Sequence, residues 1–423
     1  MRNSILISGL LAWASIATAT ELPIATHLTL TTALDLAFRD NAELQSLRAR
    51  GEAMQERPAQ AGALANPMFT YSGMDRASGG TWPNTGEKRF MVQQEFPWIG
   101  KRGLREGIAI KDAEVMQREL ETMTRDVMMM VKERYFDLYA VQRVIAITRE
   151  EESVIRRLVK VTETLYATGE RSQVDVLKAQ SEITLLKQKL LETLAQENTL
   201  NAKLNTLLNR QVDTPIGTVT TSPNTEFGTN MDLLYAMAAT NRPEIQAAQS
   251  QVERYELEKK LMSKESVPDY KLGLEYRDIE ASDNMVMFTI SVDLPIRRET
   301  YRAGVREAEK MRVSSQAARE AAEHQSALDV QDAHFKLVTA QRTLALYRTE
   351  LIPQALSRFN ASEAGYRTGK VDFMDLLESE RFLLGAKIME AMAEGALGMQ
   401  AARMERALGA SLPASRLTEV NAQ

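Results

Sequence analysis

The sequence repeats itself, and this repetition restricts the fold more than any other feature of the 423-residue chain. The segment YATG at 166–169 is followed by VDVL at 174–177, and 200 residues later YRTG at 366–369 is followed by MDLL at 374–377. The upstream landmarks recur in the same order, namely NAEL at 41–44 with NRPEI at 241–245, NPMFTY at 66–71 with VPDYKL at 267–272, and EFP at 95–97 with DLP at 293–295. A recurrence in fixed order predicts one structural unit used twice.

The N-terminus carries the pattern of a secretory signal peptide. Arg2 precedes the apolar run Ile5–Ala14, and the small residues Ala17 and Ala19 flank Thr18 as a cleavage site requires. The run is too short to span a bilayer. We therefore divide the chain into a signal peptide (1–19), a first repeat (20–215), an equatorial linker (216–230), a second repeat (231–412) and a C-terminal tail (413–423).

Each repeat predicts the same order of elements. A helix of about 30 residues is followed by two strands, a very long helix and a final helix. In the first repeat we expect the first helix to begin at Thr32 as N-cap, with Asp35 three residues on. The long helix is predicted over 101–166 and the final helix over 173–208, separated by a break at Gly169. In the second repeat Pro353 should interrupt the long helix.

The long helices carry a narrow apolar seam. Val154, Leu158, Val161 and Leu165 step by four, three and four residues, which is the spacing of coiled-coil packing. A helix of about 65 residues is roughly 100 Å long at 1.5 Å per residue. Two shorter helices placed end to end match this length. The pattern predicts a long helical cylinder.

The strands are predicted at about 67–74, 88–96, 269–276 and 286–294, because apolar and polar residues alternate there. Such strands are either half-buried or lipid-facing, and each is long enough to cross a bilayer at a tilt. A barrel needs about eight strands to close, and unpaired edges cannot face lipid. If these strands span a membrane, several chains must contribute to one barrel.

Composition excludes several other classes of protein. The net charge of −5 argues against nucleic acid as a partner. The absence of cysteine excludes disulfides, thiolate zinc ligands and thiol nucleophiles. His324 and His334 are ten residues apart on a predicted helix, and with His27 they do not suggest a metal site. Met128–Met130 project about 100° apart and indicate helix packing. No catalytic motif is present, so we expect neither enzymatic activity nor a cofactor.

Trp98, Lys101 and Arg102 follow the second strand directly. Aromatic and basic residues at this position can anchor a barrel at the membrane interface. A structural corner turned by Pro97 and Gly100 explains them equally simply. We favour the anchoring interpretation.

The repeat, the order of elements and the segments 166–177 and 364–377 resemble the TolC family of outer-membrane factors. The resemblance covers essentially the whole mature chain. It implies a homotrimer whose twelve strands form one barrel in outer-membrane lipid, continued by a periplasmic helical barrel. It also implies a periplasmic adaptor and an inner-membrane pump, which is expected to be of the RND type if the chain belongs to the heavy-metal branch. Because the lipidated members carry an N-terminal cysteine and this chain has none, the barrel alone should hold it.

Three segments are similar to the heavy-metal efflux branch, namely QEFPWIGKRG at 94–103, LIPQA at 351–355 and GKVDFMDLL at 369–377. They favour metal cations as substrate over drugs, organic compounds or secreted proteins. A periplasmic coiled-coil adaptor is the rival function. It would explain the helical hairpins but not the two pairs of strands.

The resemblance also implies two functional regions. The helix turns should form the tip that meets the adaptor, with the residues Thr168, Gly169, Glu170, Thr368, Gly369 and Lys370. The periplasmic gate should be narrowed by Asp375 and Glu378, which would form a ring of six acids in a trimer and attract cations. Asp175 and Tyr366 match an acid and a tyrosine that hold the family's entrance closed, whereas Val371 stands where the family has an arginine.

Overall fold

The structure is a computed structural model that describes residues 27–74, 86–223, 230–279 and 282–412. The predicted signal peptide and C-terminal tail lie outside these residues. The first repeat contains β1 (His27–Leu28), α1 (Leu30–Asp40), α2 (Ala42–Gln55), α3 (Arg57–Ala61), β2 (Met68–Met74), β3 (Glu87–Phe96), α4 (Lys101–Ala167) and α5 (Gln173–Leu207). The linker contains β4 (Thr218–Val219). The second repeat contains α6 (Met231–Asn241), α7 (Pro243–Lys264), β5 (Tyr270–Ile279), β6 (Met285–Val292), α8 (Arg298–Leu346), α9 (Ile352–Arg367) and α10 (Phe373–Leu408).

The N-terminal helix differs from the prediction. Its N-cap is Thr29, whose hydroxyl accepts a hydrogen bond from the Thr32 N–H at 3.2 Å, so the prediction of Thr32 as N-cap was wrong. The chain then breaks at Asn41, whose Oδ1 accepts the N–H groups of Glu43 and Leu44 at 3.1 Å each. An asparagine that caps a new helix ends the preceding one, because its side chain replaces the helical backbone bonds. Three short helices therefore replace the single predicted one.

The second long helix is interrupted as Pro353 predicted. A turn of π-helix at Tyr347–Leu351 separates α8 from α9, and Pro353 lies in the first turn of α9. Proline has no N–H to donate, and a wider turn accommodates the ring without breaking the rod.

The helices form one layer. α4 packs against α2, α5, α7 and α10, and α8 packs against α7 and α10. A long helix thus lies beside two shorter ones stacked end to end, as the helix lengths predicted. The order across the layer leaves α5 and α8 at its two edges.

Strands from both repeats make one antiparallel sheet in the order β2-β3-β5-β6. The β3–β5 pairing, from Glu87 with Ile279 to Phe96 with Tyr270, joins the two repeats. The register aligns Phe69, Val92, Leu274 and Phe288 in one row across all four strands. All four of these side chains are exposed. We call this side the apolar face of the sheet.

The opposite face of the sheet is polar. Arg89 pairs with Glu87 at 2.6 Å, and Gln93 and Thr289 flank Gly273. A sheet with one apolar face exposed and one polar face lined by ion pairs has the alternation of a lipid-facing barrel strand.

Candidate functional site

The junction between the strands and the long helices is a corner that joins the repeats. Lys101 is only 1% exposed, and its ammonium donates to the Asp269 carboxylate and to the Val267 carbonyl, both at 2.9 Å. The Trp98 N–H donates to the same Asp269 carboxylate at 2.6 Å. Gly100, with φ of 91°, turns the chain inward at this point. A buried, paired lysine is unavailable to lipid, so Lys101 belongs to the structural corner rather than to the anchor set.

The other two residues of the predicted anchor remain at the surface. Trp98 keeps its ring exposed, and the exposed Arg102 donates from Nε to the Gly62 carbonyl at 2.8 Å. Sequence reasoning missed the apolar neighbours Ile99, Leu294 and Ile296, which are also exposed. Apolar side chains from both repeats therefore surround the end of the sheet.

The two tip turns have the same backbone geometry. After α4, the N–H groups of Gly169 and Glu170 donate to the carbonyls of Tyr166 and Leu165 at 3.0 and 2.9 Å. After α9, Gly369 and Lys370 donate in the same way to Tyr366 and Gly365 at 3.1 and 2.9 Å. Gly169 and Gly369 have φ of 77° and 76°, which completes a Schellman cap at each turn. All six residues predicted for the tip are exposed, namely Thr168, Gly169, Glu170, Thr368, Gly369 and Lys370.

Tyr366 lies at the centre of the contact between the two turns. It is 1% exposed and packs in an apolar cluster with Ile155 of α4, Ala179 of α5 and Phe373 of α10. Burial raises the pKa of Tyr366, and the charge of Asp175 raises it further. The structure thus brings two residues of the predicted closure, Asp175 and Tyr366, into electrostatic contact.

The residue that sequence reasoning missed here is Arg171. Its guanidinium lies over the Tyr366 ring, with 4.8 Å from Cζ to the ring centroid. Its Nη2 donates to the Tyr366 carbonyl at 3.0 Å and to the Val371 carbonyl at 3.3 Å. The repeat itself gave a signal, because Arg171 occupies the position equivalent to Val371 at the offset of 200.

Asp375 and Glu378 lie in the first turns of α10 and are both exposed. Asp372 caps this helix, accepting the Asp375 N–H at 2.9 Å and leaving the Asp375 carboxylate at the surface. Glu378 accepts a hydrogen bond from Arg358 of α9 at 2.7 Å. The predicted gate acids therefore share a surface, and one of them has a cationic partner within the same chain.

A second acidic group lies inside the helical layer rather than on its surface. Glu151 of α4, Glu182 of α5 and Glu380 of α10 are all buried. Arg381 donates from Nε to Glu182 at 3.1 Å, and Lys387 lies 3.8 Å from Glu151. These two cations offset two of the three acids.

Glu380 is the acid left without a cation. It is 1% exposed, and no N–H or hydroxyl of the described residues donates to its carboxyl oxygens. Burial, together with the charge of the neighbouring Glu151, raises the pKa of Glu380 to about 9. The raised pKa favours the protonated, neutral form of Glu380.

The described parts of the chain contain neither a group of metal ligands nor a helix that could cross a membrane. Between 27 and 412, outside the gaps at 75–85, 224–229 and 280–281, no three His, Asp or Glu side chains are placed to hold a metal ion. None of the helices in the same ranges combines the length and the apolar character needed to cross a bilayer.

A repeated helical layer with a four-stranded sheet at one end and paired turns at the other defines a class of protein. The profile of the outer membrane efflux protein family matches residues 33–210 and again 234–410. The chain therefore belongs to this family, whose members are channels of the outer membrane. The two matches coincide with the two repeats.

Individual relatives are distant in sequence. The chain is 23% identical over 395 residues to the cobalt-zinc-cadmium resistance protein CzcC of Cupriavidus metallidurans, with 90% of each chain covered. Among solved structures, it matches CusC with a TM-score of 0.78 at 15% identity, over 90% of this chain and 92% of that one. It matches VceC from Vibrio cholerae with a TM-score of 0.74 at 16% identity, over 90% and 96%. These matches confirm the fold expected from the TolC resemblance.

Proposed function

We propose that this protein is the exit duct of a tripartite efflux system and performs no chemistry itself. The observation that carries the proposal is the apolar face of the sheet, which exposes a row of large side chains across all four strands. Lipid is the environment in which such a face is stable. The other end of the molecule is a helical layer with polar turns, which suits the periplasm.

The edges of the molecule support assembly with further copies of the same chain. Within the described residues, β2 and β6 each pair on one side only, and open edges are unstable in lipid. The edge helices also expose apolar side chains along one stripe each, which are Val174, Leu177, Leu185 and Leu191 on α5 and Val313, Leu328, Phe335 and Leu346 on α8. Packing α8 of one copy against α5 of the next closes both the sheet and the helical layer. Three copies give the twelve-stranded barrel of the predicted homotrimer.

The two ends of the duct then meet different partners. Outer-membrane lipid surrounds the apolar face, with Trp98 and Arg102 at the membrane interface. The periplasmic adaptor docks on the exposed tip around Glu170 and Lys370, and through it the duct joins an RND-type inner-membrane pump. The predicted signal peptide would direct the chain across the inner membrane.

For the substrate we propose metal cations. CzcC is by its name a resistance protein for cobalt, zinc and cadmium, and the acids Asp375 and Glu378 lie exposed near the tip. Repeated around a trimer, Asp375 would give an acidic entrance that attracts cations. Drugs, organic compounds and secreted proteins are the alternative cargo.

Assembly is tested by native mass measurement in mild detergent. We expect a trimer for the wild-type protein and a loss of trimer for Phe335→Glu, because this change places a charge on the apolar stripe of α8. Gln316→Glu is the matched control on the same helix, since its carboxylate can still accept the bond that Arg312 now donates to Gln316 at 3.1 Å. A stable wild-type monomer that inserts into membranes would refute the duct.

The entrance is tested by single-channel recording in planar bilayers. Asp375→Ala combined with Glu378→Ala should raise conductance and weaken block by divalent and trivalent cations. Glu363→Ala removes an acid from α9 that is already paired with Arg367 at 2.7 Å, and it should leave cation block unchanged. Equal block in the double variant and the wild type would contradict the gate assignment.

A further inference from the structure

The turn of the first repeat reaches into the turn of the second through one side chain, Arg171. Its Nη2 donates to two carbonyls of the second turn, those of Tyr366 and Val371, at 3.0 and 3.3 Å. The Tyr366 carbonyl lies in the last turn of α9, where the helix dipole favours a positive charge, and the Val371 carbonyl lies in the turn that follows. A charge-assisted hydrogen bond here links segments that belong to different repeats.

The second contact of Arg171 is with the ring of Tyr366 rather than with its hydroxyl. The guanidinium lies 4.8 Å from the ring centroid, and the ring is almost fully buried. The Tyr366 hydroxyl has no hydrogen-bond partner within the described residues. A cation over a desolvated aromatic face is held more strongly than one at an exposed site. The contact therefore depends on the ring and the guanidinium together.

The equivalent residue of the second turn cannot make the reciprocal contact. Val371 turns its side chain back over its own turn, so closely that a Cβ at Gly365 would lie 2.4 Å from Val371 Cγ2. The first repeat has Leu165 at the position of Gly365 and Arg171 at the position of Val371. One turn thus supplies the cation and the other supplies the ring and carbonyls that receive it.

We propose that Arg171 is the positioning residue that holds the two tip turns together and thereby keeps the periplasmic entrance narrow. The inference rests on the proposed function as a duct. Widening the entrance separates elements of the two repeats, and the Arg171 contacts must break when the turns part. In this chain Arg171 of the first repeat holds the two turns together, which Val371 of the second repeat cannot do.

The experiment compares single-channel recordings of the reconstituted wild-type trimer with those of Arg171→Ala and Arg171→Lys. We expect Arg171→Ala to lengthen the open time about tenfold, which corresponds to about 1.4 kcal/mol. Arg171→Lys keeps the charge but loses the planar stacking, so it should fall between the alanine variant and the wild type. Recording at about 1 M salt, where the screening length is about 3 Å, removes the simple effect of a lost surface charge.

Arg367→Ala is the matched control, because Arg367 lies at the same tip but pairs within its own helix with Glu363. It should behave as the wild type. Open times that are equal for Arg171→Ala, Arg367→Ala and wild type would overturn the inference while leaving the duct intact. A wild-type protein that forms no channel would instead refute the proposed function. Melting temperatures of the trimers check that each variant is folded, and Arg171→Lys supplies the test if the alanine variant is not.

Discussion

The two tip turns have almost the same backbone and opposite environments. Both are Schellman caps with a glycine at φ near 77°, and both carry a tyrosine three residues before that glycine. Tyr166 is 47% exposed, whereas Tyr366 is 1% exposed. A local cap thus fixes the path of the chain, while the packing partners decide which tyrosine enters the core.

The repeats differ at several positions around the turns. Leu165, Arg171 and Gln180 of the first repeat correspond to Gly365, Val371 and Glu380 of the second. Arg171 covers Tyr366 from the outside, and no equivalent cation in the described part of the same chain covers Tyr166. The two copies of the repeated unit are therefore asymmetric at the tip.

The largest expected effect is a difference in stability between the alanine variants of the two tyrosines. Tyr366→Ala should lower stability by about 3–5 kcal/mol, because it removes a large buried ring, whereas Tyr166→Ala should change it by less than about 0.5 kcal/mol. Thermal melting of the detergent-solubilised trimer measures both. Tyr366→Phe keeps the ring under Arg171 and should be close to wild type. Equal losses for the two alanine variants would mean that Tyr166 is covered by a neighbouring copy, which would break the comparison.

The second prediction concerns the pH dependence of stability. The pKa of Glu380 is raised from 4.5 to about 9 in the folded protein, so the folded state binds a proton that the unfolded state releases. The stabilisation by this proton is complete below about pH 4.5, declines as the pH rises and is lost above about pH 9. Glu380→Gln should flatten the dependence of stability on pH between these limits.

The matched control for Glu380 is its counterpart in the first repeat. Gln180 is exposed, so Gln180→Glu adds a solvated carboxylate and should leave the slope of melting temperature against pH unchanged. If the melting temperature of Glu380→Gln depends on pH with the same slope as that of the wild type, Glu380 does not hold the proton in the folded protein.

The smallest expected effect is the change in stability when a residue of the first turn is copied into the second. Gly365→Leu copies the residue of the first turn into the second and should cost about 1–3 kcal/mol, because any Cβ there overlaps the Val371 side chain. Adding Val371→Arg removes the overlapping branched side chain and should recover most of the loss. Melting of the single and double variants tests this. If the double variant were as unstable as the single variant, the steric overlap would arise from the backbone and not from the Val371 side chain.

Much of the architecture was predictable because its signals are local. The coiled-coil seam, the alternating strands and the repeat at 200 residues predicted the long α4, the four strands and the order of elements. The strand ends differ from the predicted ranges by no more than three residues, as in β5, which reaches Ile279. The N-terminal helix was mispredicted because Asn41 caps a new helix inside a continuous helical pattern.

The sites were less predictable from sequence. The tip glycines and the gate acids follow from spacing and resemblance, and their roles stay proposals. Lys101 and Glu380 look like ordinary surface charges in the sequence, since charged residues flank them in the chain. Their burial depends on Asp269 and Glu151, which are far away in sequence and contribute nothing to the local pattern.

The sequence by itself determined the repeated unit, the helices and strands within it, and the glycines that turn the chain at the tip. Periodicity and φ preferences act over a few residues, so they are visible in a linear chain. Only the tertiary structure decided that Arg171 covers Tyr366, that Tyr166 stays exposed and that Glu380 keeps its proton. Arg171 and Tyr366 are 195 residues apart, and a desolvated contact of this kind exists only once both repeats have packed together.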